Sequence, residues 1–271
     1  MKFTVLMSVY YKEKAEYLQL ALESIINQTV KPNEIVLVQD GRLTEELQAV
    51  ITKYQQNYPD IFKTYALQQN QGLGKALNFG MQKCINELIA RMDTDDIVEP
   101  NRFKLQIKEF AQDKELILCG GQIAEFADNP REITGHRNVP LKHNEILNFA
   151  KKRNPFNHMT VMFKKQAVQS VGGYMDMPYF EDYWLWARML KAGYKAKNID
   201  KVLVKVHAGQ DMIVRRGGLN YAKCIIRFEK ALHGIGIINF AEMIVYVTLR
   251  SIVSVMPESL RLLIYRWKLR K

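Results

Sequence analysis

The chain has 271 residues, of which 48% are hydrophobic and 25% are charged. This composition excludes wholesale disorder, and the length suits one large domain or one and a half. The formal net charge of +11 is uneven, because residues 217–271 hold nine Lys or Arg against three Glu. Such an excess of positive charge suits nucleic acid, an anionic membrane or a phosphate-rich partner.

The cysteine content argues for a reducing compartment. Cys84, Cys119 and Cys224 are scattered and odd in number, and none has metal-ligand spacing. We therefore expect buried thiols in the cytoplasm. The first residues enter a strand-like segment directly and lack the pattern of a signal peptide, so secretion is not expected.

The first half of the chain alternates short apolar runs with helical spacing. The apolar runs predict strands at 3–9, 34–39, 61–67, 87–92 and 116–126. Helical spacing predicts helices at 15–28, 44–56, 73–84 and 101–112. Strands that alternate with helices in this way are typical of an α/β fold with a mostly parallel central sheet.

The second half has a less regular pattern. Residues 128–143 contain two prolines and a glycine and predict a loop. After it we expect a strand at 159–163, a helix over 182–190 and a strand at 202–206. The last 50 residues have helical character. We expect a boundary between a main domain at 1–216 and a helical, basic extension at 217–271.

The extension contains two segments that could interact with a membrane. Residues 237–256 are mostly apolar, but Glu242 and Arg250 interrupt them, which weakens a membrane-crossing interpretation. Residues 258–271 alternate Leu, Ile and Trp with Arg and Lys. A basic helix of this kind is typical of one that lies in a membrane interface. The alternative is an ordinary helix packed on the domain with solvated charges.

The apolar run 88–92 ends abruptly in three carboxylates, Asp93, Asp95 and Asp96. Side chains two residues apart on an extended segment point the same way, so Asp93 and Asp95 would repel each other without a cation. Hard oxygen ligands of this kind suit Mg²⁺ or Mn²⁺, completed by waters and substrate phosphates. The alternative is an acidic turn that caps a helix starting near Pro100.

Polar segments follow four of the predicted strands at the edge where open α/β sheets bind ligands. These segments are Tyr10–Glu13, Asp40–Gly41, Asn70–Lys75 and Asp93–Asp96. Each alone suits an ordinary turn or cap, but four at one edge predict a nucleotide pocket in which Asp40 accepts from a base. The glycine patterns of dinucleotide-binding and P-loop proteins are absent, so the phosphates must be held in another way.

In their order along the chain, these motifs resemble those of family 2 glycosyltransferases of the GT-A fold. The resemblance covers roughly residues 3–216. It rests on Ser8-Val9-Tyr10, Asp40-Gly41, the Asn70–Gly80 series, Met92–Asp96 with Pro100 and Arg102, and Glu181-Asp182 before Tyr183-Trp184. It implies a Rossmann-like, mostly parallel sheet flanked by helices. It also implies an inverting enzyme that uses a nucleoside-diphosphate sugar, with UDP as the expected carrier, and Mg²⁺ or Mn²⁺.

The resemblance also implies roles for individual residues. Asp40 would bind the base, Asp93 would lie near the ribose and metal, and Asp95 would be a direct metal ligand. Asp182 would be the general base, with Glu181 as the alternative. The remaining implied contacts are a nucleotide-binding set and one further metal ligand: Val9, Tyr10, Glu13, Asn70, Lys75 and Arg216 for the nucleotide, and His207 for the metal.

The expected acceptor is a lipid-linked or oligosaccharide chain for a bacterial capsule or exopolysaccharide, met at the inner membrane surface. Residues 210–214 depart from the Gln-x-x-Arg-Trp pattern of processive members, which favours transfer of one sugar. His158 suits a sugar contact or, slightly better, a structural role.

Three other hypotheses compete. A strand that ends in Asp-x-Asp also resembles haloacid-dehalogenase-type phosphatases, in which Asp93 would be phosphorylated. A non-catalytic, membrane-associated sugar-binding protein could share the fold. Nucleic-acid binding is disfavoured, because the aromatic residues of the tail stand among Leu and Ile at helical spacing rather than as a stacking surface.

Overall fold

The computed structural model describes residues 1–207, 217–257 and 260–261. Arg216 and most of the predicted amphipathic segment 258–271 lie outside the described residues. The strands β1 to β9 span Phe3–Val9, Glu34–Gln39, Phe62–Ala66, Leu88–Arg91, Ile97–Val98, Leu116–Phe126, Ile133–Arg137, Met162–Lys164 and Lys195–His207. The helices α1 to α9 span Ala15–Ile26, Glu45–Asn57, Leu73–Lys83, Arg102–Gln112, His143–Phe149, Lys165–Ser170, Glu181–Lys191, Gly218–Gly234 and Phe240–Val255.

The strands form one sheet with two different halves. In the first half the order is β3-β2-β1-β4, and all of these pairings are parallel. In the second half β8 lies antiparallel between β4 and β6, β9 runs parallel to β6, and β5 lies antiparallel to β9. The α/β fold with a Rossmann-like sheet is confirmed. Because strand order reverses between β1 and β4, the carboxyl ends of these two strands define the crevice in which such sheets bind ligands.

Helices cover both faces of the sheet, as the continuous apolar runs of the buried strands require. Val5 and Met7 of β1 belong to the core beneath α1 and α4, whereas Leu6 belongs to the core beneath α3 and α7. At Gly80 of α3 an added Cβ would lie 2.6 Å from Leu6 Cδ1. The helix therefore packs closely on the sheet, which fixes the position of its first turn.

The second half differs from the sequence prediction in three places. The segment predicted as a loop at 128–143 contains β7, which pairs with β6, and its last residue, His143, begins the helix α5. Pro130, Gly135 and Pro140 suggested turns, but long-range pairing with β6 holds the strand. The last strand, β9, begins at Lys195 rather than at 202, because nearly its whole length pairs with β6.

The C-terminal helices α8 and α9 share a core with α7. Phe180 stacks on Phe228 with ring centroids 4.5 Å apart and an interplanar angle of 7°. Trp184, Ile225 and Met243 are buried in the same cluster. Among the described residues, no helix has both the length and the apolar character needed to cross a membrane.

Candidate active site

The predicted site residues meet at the crevice between β1 and β4. Val9 ends β1, and its carbonyl accepts from the Asp40 amide at 2.8 Å, so the ends of β1 and β2 lie side by side. The Met92 amide donates to Leu6 O at 3.1 Å, which brings the acidic segment to the same edge. The parallel register of the three strands thus gathers segments that are far apart in the sequence.

Asp40 joins the end of β2 to the start of α3. Its buried carboxylate accepts from Gln71 N at 2.7 Å and from Gly72 N at 2.9 Å. Gly41 has a φ of +87°, and an added Cβ would lie 2.7 Å from Asn70 N, so this turn requires glycine. Each carboxylate oxygen retains a second acceptor position. A base contact by Asp40 is therefore compatible with its structural bonds and stays a prediction.

The three aspartates after β4 form a dense cluster of negative charge. One oxygen from each of Asp93, Asp95 and Asp96 lies within 4.8 Å of the others. Burial, with the charges of Asp93 and Glu13, raises the pKa of Asp95 to about 7. Burial and the charge of Asp95 raise the pKa of Asp96 well above its usual value. Asp96 Oδ2 is buried and has no hydrogen-bond partner among the described residues.

The aspartate cluster fits a divalent cation. The carboxylate oxygens are the ligand type that Mg²⁺ and Mn²⁺ prefer. Within residues 1–207, 217–257 and 260–261, neither Asp95 nor Asp96 has a cationic side chain at hydrogen-bond distance, so a cation would offset the charge that burial disfavours. Asp93 differs, because both of its oxygens already accept from a guanidinium.

That guanidinium belongs to Arg91, which the sequence interpretation missed. Arg91 is only 1% exposed and donates from both terminal nitrogens to the Asp93 carboxylate. Burial opposes its charge, but Asp93 more than compensates, and the pKa of Arg91 is raised. Arg102 Nη2 donates to Arg91 O at 2.8 Å and holds the strand from behind. A charge inside the otherwise apolar run 88–92, two positions before an aspartate, was the signal that could have revealed this pair.

Asp96 is not the helix cap that was one expectation for it. The strand β5 separates it from α4, which begins at Arg102 after Asn101. Asp96 Oδ1 instead accepts from the backbone amide of His207 at 3.0 Å. The cap interpretation of the triplet is therefore wrong, because the chain turns into a short strand before the helix begins.

His207 and Glu13 border the aspartate cluster. The His207 ring packs against Tyr17 and Phe126, with ring centroids 4.5 Å and 5.6 Å away. Glu13 Oε2 accepts from Thr94 Oγ1 at 2.9 Å, and burial raises the pKa of Glu13. His207 thus lies beside the cluster through its backbone, while metal ligation by its ring stays a prediction.

The other predicted nucleotide contacts lie at the rim of the crevice. Tyr10 is 37% exposed, and Asn70 and Lys75 are exposed at the start of α3. Asn70 Nδ2 donates to Asp40 O at 3.3 Å. Their contacts with a nucleotide stay predictions, and Arg216 lies outside the described residues.

Glu181 and Asp182 occupy the first turn of α7 and face the start of α3. Asp182 accepts from Asn154 Nδ2 at 2.6 Å and from Tyr183 N at 2.7 Å. Burial raises the pKa of Asp182, and burial with the Asp182 charge raises that of Glu181 to about 7. An added Cβ on Gly74 would lie 3.8 Å from Glu181 Cβ, so α3 and this acidic pair are direct neighbours.

His158 has a structural environment. Its Nε2 lies 2.8 Å from the Tyr174 hydroxyl, and its ring packs on Trp186 at 6.0 Å between centroids. Burial lowers the pKa of His158 well below its usual value, so the ring is neutral. Asn78 holds the Tyr174 backbone with hydrogen bonds of 2.6 Å and 2.9 Å.

A crevice of this kind, with an acidic cluster at one side and an acidic pair at the other, defines a glycosyltransferase of the GT-A fold. The chain belongs to glycosyl transferase family 2, whose model matches residues 4–174. The phosphatase hypothesis is therefore wrong.

Curated relatives match the chain over nearly its whole length. An uncharacterized glycosyltransferase of Haemophilus influenzae is 43% identical over all of both chains. The amylovoran biosynthesis glycosyltransferase AmsE of Erwinia amylovora is 40% identical over 97% of each chain. The UDP-Gal:alpha-D-GlcNAc-diphosphoundecaprenol beta-1,3-galactosyltransferase of Escherichia coli is 36% identical over 100% of this chain and 97% of its own.

Solved structures share the fold at low sequence identity. S. aureus TarS 1–349 in complex with UDP-GlcNAc has a TM-score of 0.66 at 16% identity, over 100% of this chain and 76% of that one. The mannosyltransferase PcManGT of Pyrobaculum calidifontis, in complex with GDP-Man and Mn²⁺, has a TM-score of 0.63 at 16% identity, over 98% and 79%. These likenesses establish the GT-A architecture.

Proposed function

We propose that the chain transfers a single sugar from a UDP-sugar to a lipid-linked saccharide during polysaccharide assembly, with inversion at the anomeric carbon and with Mg²⁺ or Mn²⁺ bound. The names of two relatives support this class of substrate. One uses UDP-Gal and a GlcNAc-diphosphoundecaprenol acceptor, and the other acts in amylovoran biosynthesis. We place the enzyme in the cytoplasm, on the inner face of the membrane, where its basic C-terminal segment binds.

The observation that carries the proposal is the unbalanced charge after β4. Asp95 and Asp96 would hold the cation, and Asp93, fixed by Arg91, would complete the cluster near the ribose. When bound, the cation offsets the negative charge that develops on the departing nucleoside diphosphate. Asp40 and the rim residue Tyr10 would bind the base, and Lys75 would contact the phosphates. His207 and Arg216 remain proposed as a further metal ligand and a diphosphate contact.

The acidic pair of α7 supplies the base. As the acceptor hydroxyl oxygen attacks the anomeric carbon, its proton passes to the Asp182 carboxylate. The bond between that carbon and the diphosphate oxygen breaks, and its electron pair leaves with the nucleoside diphosphate. Attack opposite the leaving group in a single displacement inverts the configuration. The hydrogen bond from Asn154 fixes the orientation of Asp182, and Glu181 is the alternative base because its raised pKa suits proton transfer near neutrality.

A donor screen tests the proposal. The purified chain is melted with UDP-Gal, UDP-GlcNAc and GDP-Man, each with and without Mn²⁺. We expect a UDP-sugar to raise the melting temperature only when Mn²⁺ is present. The best donor is then incubated with a synthetic GlcNAc-diphospho-lipid, and the anomeric configuration of the product is determined by NMR. Stabilisation that ignores Mn²⁺, or a product that retains configuration, would contradict the proposal.

The non-catalytic alternative is separated by the same assay. A sugar-binding protein would be stabilised by the donor but would form no product. Asp182→Asn should lower the rate of product formation by about 10²- to 10³-fold while the donor-induced melting shift is retained, because Asp182 lies on α7 rather than among the base and metal contacts.

A further inference from the structure

The helix α9 exposes one apolar half of its circumference. Six of its large apolar side chains are at least 47% exposed: Phe240, Ile244, Val245, Leu249, Ile252 and Val255. At 100° per residue these six fall within one half-turn of the helix. The remaining residues of that half are Ala241, Thr248 and Ser251, so it contains no charge.

The two charged residues of α9 point elsewhere. Glu242 caps the helix by accepting from Asn239 N at 2.8 Å. Arg250 forms an ion pair at 2.5 Å with Glu229, which is fully buried, and it also donates to Lys152 O. Both side chains are thus used in holding the helix, and the exposed half is left without a polar partner among the described residues.

We propose that α9 lies flat in the surface of an anionic membrane, with this apolar half against the lipid acyl chains. The helix has 16 residues and is about 24 Å long, whereas crossing requires about 20 residues. Helices that lie in the membrane plane bury one apolar face at the boundary between headgroups and acyl chains, as this half of α9 would.

Charge selects the lipid as the occupant. Residues 217–271 carry nine Lys or Arg against three Glu, and this excess of positive charge complements anionic headgroups. A second copy of the chain would instead bring one charge of +11 against another.

The packing of α9 ties this surface to the acceptor side of the site. Met243 is buried with Phe228 and Trp184 in the core that α9 shares with α8 and α7. Phe180, which stacks on Phe228, directly precedes Glu181. A membrane-bound α9 therefore sets the height of the acidic pair above the lipid. Only this last step rests on the proposed lipid-linked acceptor.

Sedimentation with vesicles of phosphatidylethanolamine and phosphatidylglycerol tests the inference without any sugar nucleotide. The variants are Ile244→Glu, Leu249→Glu and Ile252→Glu. Leu20→Glu on α1 and Ile85→Glu after α3 are matched controls, because they are exposed apolar residues that undergo the same change of charge. Each α9 variant should weaken vesicle binding by about tenfold or more, and the controls should not. Equal melting temperatures verify folding.

Three outcomes would overturn the inference. The α9 variants could bind vesicles as tightly as the unmodified chain. A variant with Arg266, Lys268, Arg270 and Lys271 changed to Gln could alone lose binding while the α9 variants keep it. Sedimentation velocity could show a dimer that the α9 variants dissociate. Donor-induced melting shifts are measured separately, so failure of the proposed transfer reaction would be seen independently of the vesicle result.

Discussion

The two acidic groups of the crevice are built differently, although each contains a carboxyl whose pKa is raised to about 7. Around Asp95, three carboxylates crowd together and Asp96 Oδ2 has no partner among the described residues. Around Glu181, the main acidic neighbour is Asp182, and Asp182 itself accepts hydrogen bonds from neutral amides. Excess charge with an unpaired oxygen calls for a cation. A raised pKa with satisfied neighbours suits the movement of a proton.

The largest effect is expected from removing charge on the cation side. Asp95→Asn should lower kcat roughly 10³-fold, because a bound metal contributes several kcal/mol to the stabilisation of the leaving group. The rate is measured over a range of Mn²⁺ concentrations. Asp60→Asn, at an exposed aspartate before β3, is the matched control. A variant that keeps its rate at ordinary Mn²⁺ levels would show that the cluster is not the metal site.

A somewhat smaller loss of kcat is expected from substitution of the proposed general base. Asp182→Asn should lower kcat by about 10²- to 10³-fold while the KM for the donor changes little, because a general base acts in the transition state. Asp200→Asn, at an exposed aspartate of β9, is the control. If the donor KM rose instead of kcat falling, Asp182 would be a binding residue and the contrast between the two acidic groups would be lost.

Substitution of Arg91 tests whether its guanidinium balances the charge of Asp93, in contrast to Asp95 and Asp96. Arg91→Met leaves a partly buried carboxylate without its partner and should cost about 3 kcal/mol of folding stability. Arg91→Lys keeps the charge but not the paired contacts, and should cost less. Urea unfolding measures both. A positioning role also predicts that the Mn²⁺ concentration for half-maximal rate rises more than kcat falls in Arg91→Lys. Unchanged metal dependence would leave Arg91 with a structural role alone.

The smallest effect concerns stability and pH at Glu181. Its pKa is raised from 4.5 to about 7 in the folded chain, so the fold favours the neutral form. Stability is therefore lost as pH rises from about 4.5 to 7, by at most about 3 kcal/mol. Glu181→Gln should be more stable than the unmodified chain at pH 8 but not at pH 4. Thermal melts at both pH values check this, with Glu16→Gln on α1 as control.

Local pattern was sufficient for the parallel half of the sheet, strands β1 to β4. The runs 3–9 and 34–39 were predicted at their observed bounds, because buried parallel strands are continuous apolar segments. It failed at β7, whose exposed and half-buried residues are held by pairing with β6 rather than by their own propensity. The local spacing of apolar and polar residues does not predict contacts between distant segments.

The same distinction applies to the site. The acidic triplet and the Glu181-Asp182 pair were visible as motifs. The hydrogen bond from His207 N to Asp96 joins residues 111 positions apart, and no spacing rule reports it. The packing of Phe228 behind Phe180 is equally remote in the sequence, so local spacing did not predict that α8 packs against the start of α7.

The stacking of Phe180 on Phe228 affects where two related enzymes can be joined in a chimera. A chimera of two relatives joined between residues 216 and 217 would split this aromatic pair between two parents. In a chimera joined between residues 174 and 180, the acidic pair, α8 and α9 would all come from the same parent. The family model ends at residue 174, just before that junction. Exchange of segments at that junction would keep Phe180 and Phe228, and so their stacking contact, within one parent.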